Sequence, residues 1–231
     1  MFTFIFCYTV IMKKNDYHHG NLKEEFLTIA FAFIRENDIE KLTLKVLSDA
    51  THTSRSAIYR HFSSKDALIE TMIITGFDAF DRTIAPILTA KEKPLPERFY
   101  FAGRAYLDYA RENPSLYRLL FGKRYAHIRE EIMTLGDDCS GFGALKKAIE
   151  EGQENGLIKK ENSFTQAVVV WSSLHGLAST IIDGFMDVEA NSEQFYNAMY
   201  KSLLAGLLSK KVTLLSTLPF SDKFLEVEAK G

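Results

Sequence analysis

From Leu42 to Leu68 the chain reads LTLKVLSDATHTSRSAIYRHFSSKDAL, a set of side chains suited to a polyanion. Arg55, Ser56, Tyr59 and Arg60 fall on one face at helical spacing, while Ala57, Ile58 and Phe62 fall on the other. A guanidinium makes paired hydrogen bonds to a guanine edge or to a phosphate, and serine and tyrosine hydroxyls serve either target. Lys41, Lys45, Arg55, Arg60 and Lys65 face a single acid, Asp49, over residues 41–65. The positive charge is local: over residues 13–70 basic and acidic side chains cancel, and the whole chain carries a formal net charge of −2. Duplex binding would therefore rest on a few placed contacts rather than on bulk charge.

Two short helices and a turn must hold these groups. Thr43 is placed to cap a helix over residues 44–50, with Leu44 and Leu47 on its inner side. Thr51, His52 and Thr53 break the apolar period, and Ser54 then caps a second helix through about Arg60. Seven residues rise about 10 Å, a length that suits a major groove about 12 Å wide with the first residues at the base edges. Ser63, with Asp66, opens a long third helix through about Thr83, and there free N–H groups, the helix dipole and Lys65 favour an anion. Ahead of all three, Asn21 and Glu24 form a capping box for a first helix whose stripe is Leu22, Phe26, Ile29, Ala30 and Phe33.

At these residues the chain resembles the tetracycline-repressor (TetR) family of bacterial transcriptional regulators. The likeness covers residues 17–70 and rests on Thr43, the turn at His52, Tyr59 to Phe62, and Ser64-Lys65 to Leu68. It implies a double-stranded DNA operator as partner, with Thr43, Tyr59, His61 and Lys65 at phosphates and Arg55 and Ser56 nearest the bases. Ser54 and Arg60 complete the expected DNA-binding set. Taken singly, Tyr59 is equally a surface cover and His61 a core-edge histidine. The family's Ala-Gly-Val-Ser turn is Thr51-His52-Thr53-Ser54 here, and its small alanine is Ser48. A histidine in the glycine's left-handed position costs roughly 1 kcal/mol.

The remainder reads as helix nearly throughout, so the expected fold is all-α: a three-helix DNA-binding domain, then a larger C-terminal helical domain for ligand binding and dimerisation. The expected divisions are an extension without fixed structure over 1–16, the DNA-binding domain over 17–66, the regulatory domain over 67–210 and a tail over 211–231. The segment Lys91 to Pro96 reads as a loop, followed by helices over Glu97 to Arg111, Ser115 to Phe121 and Gly143 to Gly156. Tyr125 to Cys139 fits helix or loop. The last two helices are the most regular, with Phe164, Ala167, Val168, Trp171, Leu174, His175 and Ala178 along one and Phe195, Met199, Leu203 and Leu207 along the other. Val170, Leu174 and Leu177 add apolar surface beyond the Trp171 stripe, which points to a partner.

Trp171, His175 and Gly176 resemble the Trp-His-Gly class of C-terminal domains in the same family, as does Pro114-Ser115-Leu116-Tyr117 to Phe121. That likeness implies a homodimer through the last two helices, with two reading heads about 34 Å apart on a palindromic operator. Phe101, Tyr106, Tyr109, Tyr117, Phe121, Trp171 and His175, with Met133, are candidates to line a site for a small hydrophobic or amphipathic effector. Aromatic residues at helical spacing serve cores more often than pockets, so that reading stands beside a purely structural one.

No P-loop, GxSxG, HExxH or dinucleotide fingerprint occurs, so neither an enzyme nor a cofactor is expected. His18-His19 is adjacent rather than i,i+4, and Cys7 and Cys139 are too few for a zinc site or a disulfide framework, so no metal is expected and a reducing cytoplasm is. The opening MFTFIFCYTVIM is too short to span a bilayer and lacks a basic leader, which favours translation starting at Met12 and no membrane partner. A product of native expression whose intact mass retains Phe2 would exclude that start. Two further readings stay open: an activator or nucleoid-associated protein without ligand, and a helical small-molecule-binding protein or enzyme with a vestigial helix-turn-helix.

Overall fold

The computed structural model describes residues 22–133, 140–185 and 191–209. Expectations placed on Asn21, His18-His19, Cys7, Cys139, the opening extension and the tail beyond residue 209 lie outside the described residues. Among the described residues the fold is all-α, and a lone antiparallel bridge joins Ile158 to Leu208. The chain divides into two compact units, with the break between Leu68 and Ile69.

The first unit holds α1 (Leu22–Glu36), a 3-10 turn (Ile39–Lys41), α2 (Leu44–Ala50), α3 (Arg55–Tyr59) and the first turn of α4 (Lys65–Thr89). Each of the last three begins on a hydroxyl cap. Thr43 Oγ1 accepts from Val46 N at 3.1 Å, Ser54 Oγ from Ala57 N at 3.2 Å, and Ser64 Oγ from Ala67 N at 3.1 Å. Ser64 is thus the cap of α4, not Ser63. Phe26, Leu42, Leu47, Ile58 and Phe62 are sealed in the core of this unit. The buried face of α1 is Phe26, Ala30, Phe31 and Ile34, whereas Leu22, Ile29 and Phe33 of the expected stripe are half-exposed. Apolar residues run almost all round this helix, so its periodicity does not select one face.

The second unit contains the rest of α4, then α5 (Leu95–Glu112), α6 (Pro114–Phe121), a 3-10 turn (Lys123–Tyr125), α7 (Ala126–Met133), α8 (Gly141–Glu154), α9 (Ser163–Ile182) and α10 (Ser192–Leu207). Helix α9 lies against α5, α8 and α10. Helix α4 continues past Thr83, through Pro86, to Thr89. A proline's φ suits a helix, but there it forgoes the bond to the preceding turn and crowds the carbonyl four residues earlier, a cost confined here to the last turns of α4. Pro96 likewise sits in the first turn of α5 rather than in a loop, where no intrahelical donor is needed. Tyr125 to Cys139 resolves in part, as helix over Ala126–Met133.

The clamp on this unit is polar. Arg98, 2% exposed, donates to the Leu88 carbonyl at 2.9 Å and makes a two-pronged contact with Glu151, joining the end of α4 to α5 and α8. That guanidinium holds the Glu151 carboxyl below its ordinary range. Gly103 lets α10 approach α5 closely: a Cβ there would meet the Tyr196 hydroxyl at 2.4 Å, a group that donates to the Tyr100 carbonyl.

Candidate nucleic-acid interface and effector cavity

The turn between α2 and α3 is bonded within itself. His52, at φ 53°, is the one non-glycine residue with positive φ among the described residues, so the histidine takes the left-handed conformation. Thr53 N donates to the Ser48 carbonyl at 2.9 Å, and Thr51 Oγ1 lies 2.8 Å from both the Leu47 carbonyl and Thr53 Oγ1. Ser48, almost fully buried, donates its hydroxyl to the Lys45 carbonyl at 2.9 Å. The hydroxyls of Ser48, Thr51 and Thr53, which make this turn unlike an alanine-glycine one, therefore all have partners, and the His52 side chain is exposed, so no polar group is buried without a bond there.

With Ile58 at 0% exposure anchoring α3, its other face is left to solvent: Arg55, Ser56, Tyr59 and Arg60 are all exposed, Tyr59 at 57%. Ser56 Oγ lies 2.8 Å from Ser54 Oγ, so the cap and the reading face share one hydroxyl pair. Thr43 and His61 are exposed as well, and the His61 imidazole rests on Phe26 with ring centroids 5.9 Å apart. Lys65 is placed differently. Its ammonium donates to the Ile39 and Glu40 carbonyls, both at 3.0 Å, tying α4 to the 3-10 turn. Two of its three donors are thereby occupied within the unit.

The second unit carries a half-open cavity of about 710 Å³ whose wall is mainly aliphatic and aromatic. Tyr106, Phe121 and Trp171 line it, with Phe77 and Phe80 from α4. Behind this wall Tyr117 Oη lies 2.8 Å from Tyr106 Oη and 2.6 Å from His175 Nδ1. The His175 imidazole stacks on Trp171 at 5.2 Å. Burial, and then the charge of Arg129, push His175 below its ordinary value, while burial raises both tyrosines. The shift favours a neutral imidazole, hydrogen-bonded through Nδ1 to the Tyr117 hydroxyl. Three charged side chains also reach the cavity: Asp78, Asp81 and Arg129.

Two family models match this chain. Residues 26–72 match bacterial regulatory proteins of the tetR family, and residues 100–203 match the tetracyclin repressor-like C-terminal domain. The chain belongs to the tetR family of bacterial regulatory proteins. Among curated relatives of this tetR-family chain is the nucleoid occlusion factor SlmA of Haemophilus influenzae, 29% identical over 104 residues, covering 43% of this chain and 46% of that protein. The chain thus spans about half the length of the curated relatives it matches. Several solved structures share its fold, two of which illustrate the likeness. A protein of unknown function from Rhodococcus sp. RHA1 has a TM-score of 0.72 at 21% identity, covering 85% of this chain and all of that one. A TetR-family transcriptional regulator from Haemophilus influenzae has a TM-score of 0.61 at 16% identity, covering 82% and 97%.

Of the residues expected around a ligand, this tetR-family chain brings Tyr106, Phe121 and Trp171 to the cavity surface and sets Tyr117 and His175 one layer behind. Tyr109 is buried against Phe80, and Phe101 is 42% exposed on the far side of Tyr100. The Met133 side chain lies outside the described residues. Sequence reasoning missed Asp81 and Arg129. One available signal was Asp81 itself, an acid four residues after Phe77 and three before Ile84, and so at helical spacing on the same side as those apolar residues.

Proposed function

We propose that this protein is a sequence-specific DNA-binding transcription regulator, a repressor that binds a palindromic operator as a homodimer and is released by a small hydrophobic or amphipathic molecule. The observation that carries this reading is the face of α3: Arg55, Ser56, Tyr59 and Arg60 stand in solvent on a helix fixed by a buried Ile58, a serine cap and a left-handed turn. A helix so anchored presents base-reading groups without ordering them at the moment of binding. Arg55 and Ser56 read base edges in this scheme, and Thr43, Tyr59 and His61 position the phosphates, with Ser54 and Arg60 beside them. Lys65 gives its remaining donor to a phosphate while holding α4 in register.

The outer faces of α9 and α10 supply the dimer contact. Val169 is 51% exposed and Phe195 45%, and a Cβ at Gly176 or Gly206 would meet nothing within 4 Å. Small residues flanked by exposed apolar ones suit close helix approach about a two-fold axis. The Trp-His-Gly class of C-terminal domain fits Trp171 and His175, which stack between the cavity and the Tyr117 hydroxyl. A ligand in the cavity touches Phe77 and Phe80 of α4, the helix that begins at the reading head, and must favour the non-binding dimer for release to follow.

The name of the curated relatives supports a second reading, a nucleoid-associated role without an effector. A cavity of about 710 Å³ weighs against it. Binding of the full chain to the DNA upstream of its own gene, titrated over salt with Arg55→Ala alongside, separates these readings. The expected result is salt-dependent specific binding whose sequence preference changes in Arg55→Ala. Binding without preference, or a preference that Arg55→Ala leaves intact, overturns the assignment of α3 as the reading helix.

A further inference from the structure

The cavity of the second unit holds opposite charges that do not meet. Asp81 sits where α4 touches the start of α8, and its carboxylate accepts one hydrogen bond, from Gly141 N at 2.6 Å. Arg129 sits where α7 folds back on the end of α6, and its guanidinium donates to the Gly122 carbonyl. A carboxylate accepts about four hydrogen bonds and a guanidinium donates five, and both side chains are half-buried, so each keeps hydrogen-bonding capacity beyond that one bond among the described residues. Neither forms an ion pair among the described residues, whereas Asp78, the third charge on the wall, lies on the surface beside Arg82 at 4.0 Å. Burial raises the Asp81 carboxyl, with the nearby Asp78 charge adding to it against the Gly141 N–H, and burial lowers Arg129 against the opposing Glu130 charge. Both groups are thus pushed toward their neutral forms, as expected of charges that have lost part of their water for little compensation in return.

From this placement we infer that the occupant of the cavity is a bipolar amphiphile: an apolar body with a cationic, hydrogen-bond-donating group that meets Asp81 and an anionic group that meets Arg129. The inference takes the cavity to be the ligand site proposed above and adds the chemical class. A purely apolar occupant would bury both charges without a partner. A simple acid would satisfy Arg129 and leave Asp81 worse off, and a simple amine the reverse. A ligand with both ends turns two desolvated charges into two charge-assisted pairs, and the rings of Phe77, Phe80, Phe121 and Trp171 cover its body.

Calorimetric titration of the full chain with ω-aminododecanoate, dodecanoate, dodecylamine and dodecanol, with shorter and longer ω-amino acids to fit the span, tests the class. The ω-amino acid of best length is expected to bind at least about tenfold more tightly than dodecanol or either singly charged probe. Asp81→Asn is expected to weaken the ω-amino acid and dodecylamine about tenfold and to spare dodecanoate, and Arg129→Gln to weaken the ω-amino acid and dodecanoate and to spare dodecylamine. Equal binding of dodecanol overturns the proposal, as does tightest binding of either singly charged probe. Should a variant melt far below the parent, the ranking on the parent chain decides. Operator release is followed separately. Tight, doubly charge-dependent binding with no release from DNA removes the effector reading and keeps the ligand class; release by dodecanoate alone keeps the effector reading and removes the class.

Discussion

Replacing His52 with glycine is expected to stabilise the first unit, and the size of the effect follows from one dihedral angle. At φ 53° a residue with a Cβ pays about 1–2 kcal/mol for the left-handed conformation. Glycine escapes that cost but loses about 0.5–1 kcal/mol through the freedom of its unfolded chain. His52 is exposed, so no buried contact is lost, and the backbone bond from its N–H to the Asp49 carbonyl at 3.3 Å survives the change. The balance is a gain of about 0.5 kcal/mol, which slows amide exchange through unfolding of this unit by about twofold. Hydrogen exchange at the amides of α2 and α3 reads the effect in the full chain, free of the transition of the second unit. His52→Val supplies the opposite sign, because a β-branched residue at positive φ is strained further, and exchange should quicken about fivefold. Faster exchange in His52→Gly, or equal rates in the glycine and valine variants, would refute the account of the turn.

Three further outcomes follow from single contacts. Lys65→Ala should destabilise the first unit by about 1–2 kcal/mol in urea titration, since two carbonyls lose a charged donor, and should weaken DNA binding for every sequence alike. Arg98→Met should cost about 3 kcal/mol in the second unit, because the Glu151 carboxylate and the Leu88 carbonyl are left behind. In the parent chain Glu151 contributes stability above its ordinary value of 4.5 that is lost as pH falls toward its lower folded value, and Arg98→Met should flatten that limb of the stability profile. His175 binds its proton less readily when folded, so stability should also decline as pH falls below about 6.5, and His175→Gln should remove that decline in thermal melts. A His175→Gln profile that still declines there assigns the effect to another group.

The first unit was legible because its signals are local. Hydroxyl caps at Thr43 and Ser54 fix helix starts within a few residues, and the left-handed position at His52 was implied by the resemblance to a family turn that carries glycine there. Where apolar residues encircle a helix, as on α1, no local signal picks the buried side. Helix α4 was read six residues short because a proline is taken as a stop unless packing on later elements, such as the Arg98 bond to the Leu88 carbonyl, holds the helix together beyond it. The cavity was legible only as a composition. Tyr106, Phe121 and Trp171 face it while Tyr109 and Phe101 do not, and that division depends on how α4, α5, α6 and α9 cross, which spacing along one helix does not encode. Charged side chains are read by default as solvated, and so Asp81 and Arg129 passed unnoticed.

The two open glycines on α9 and α10 have one more consequence. A glycine inside a helix costs roughly 0.5–1 kcal/mol relative to alanine, and at Gly176 and Gly206 a methyl group would meet nothing within 4 Å among the described residues. An isolated chain would therefore be steadier with alanine at both sites. These positions separate two properties that most core substitutions confound: an added methyl at Gly176 finds open space within the chain, so a change in self-association there is read apart from a change in packing.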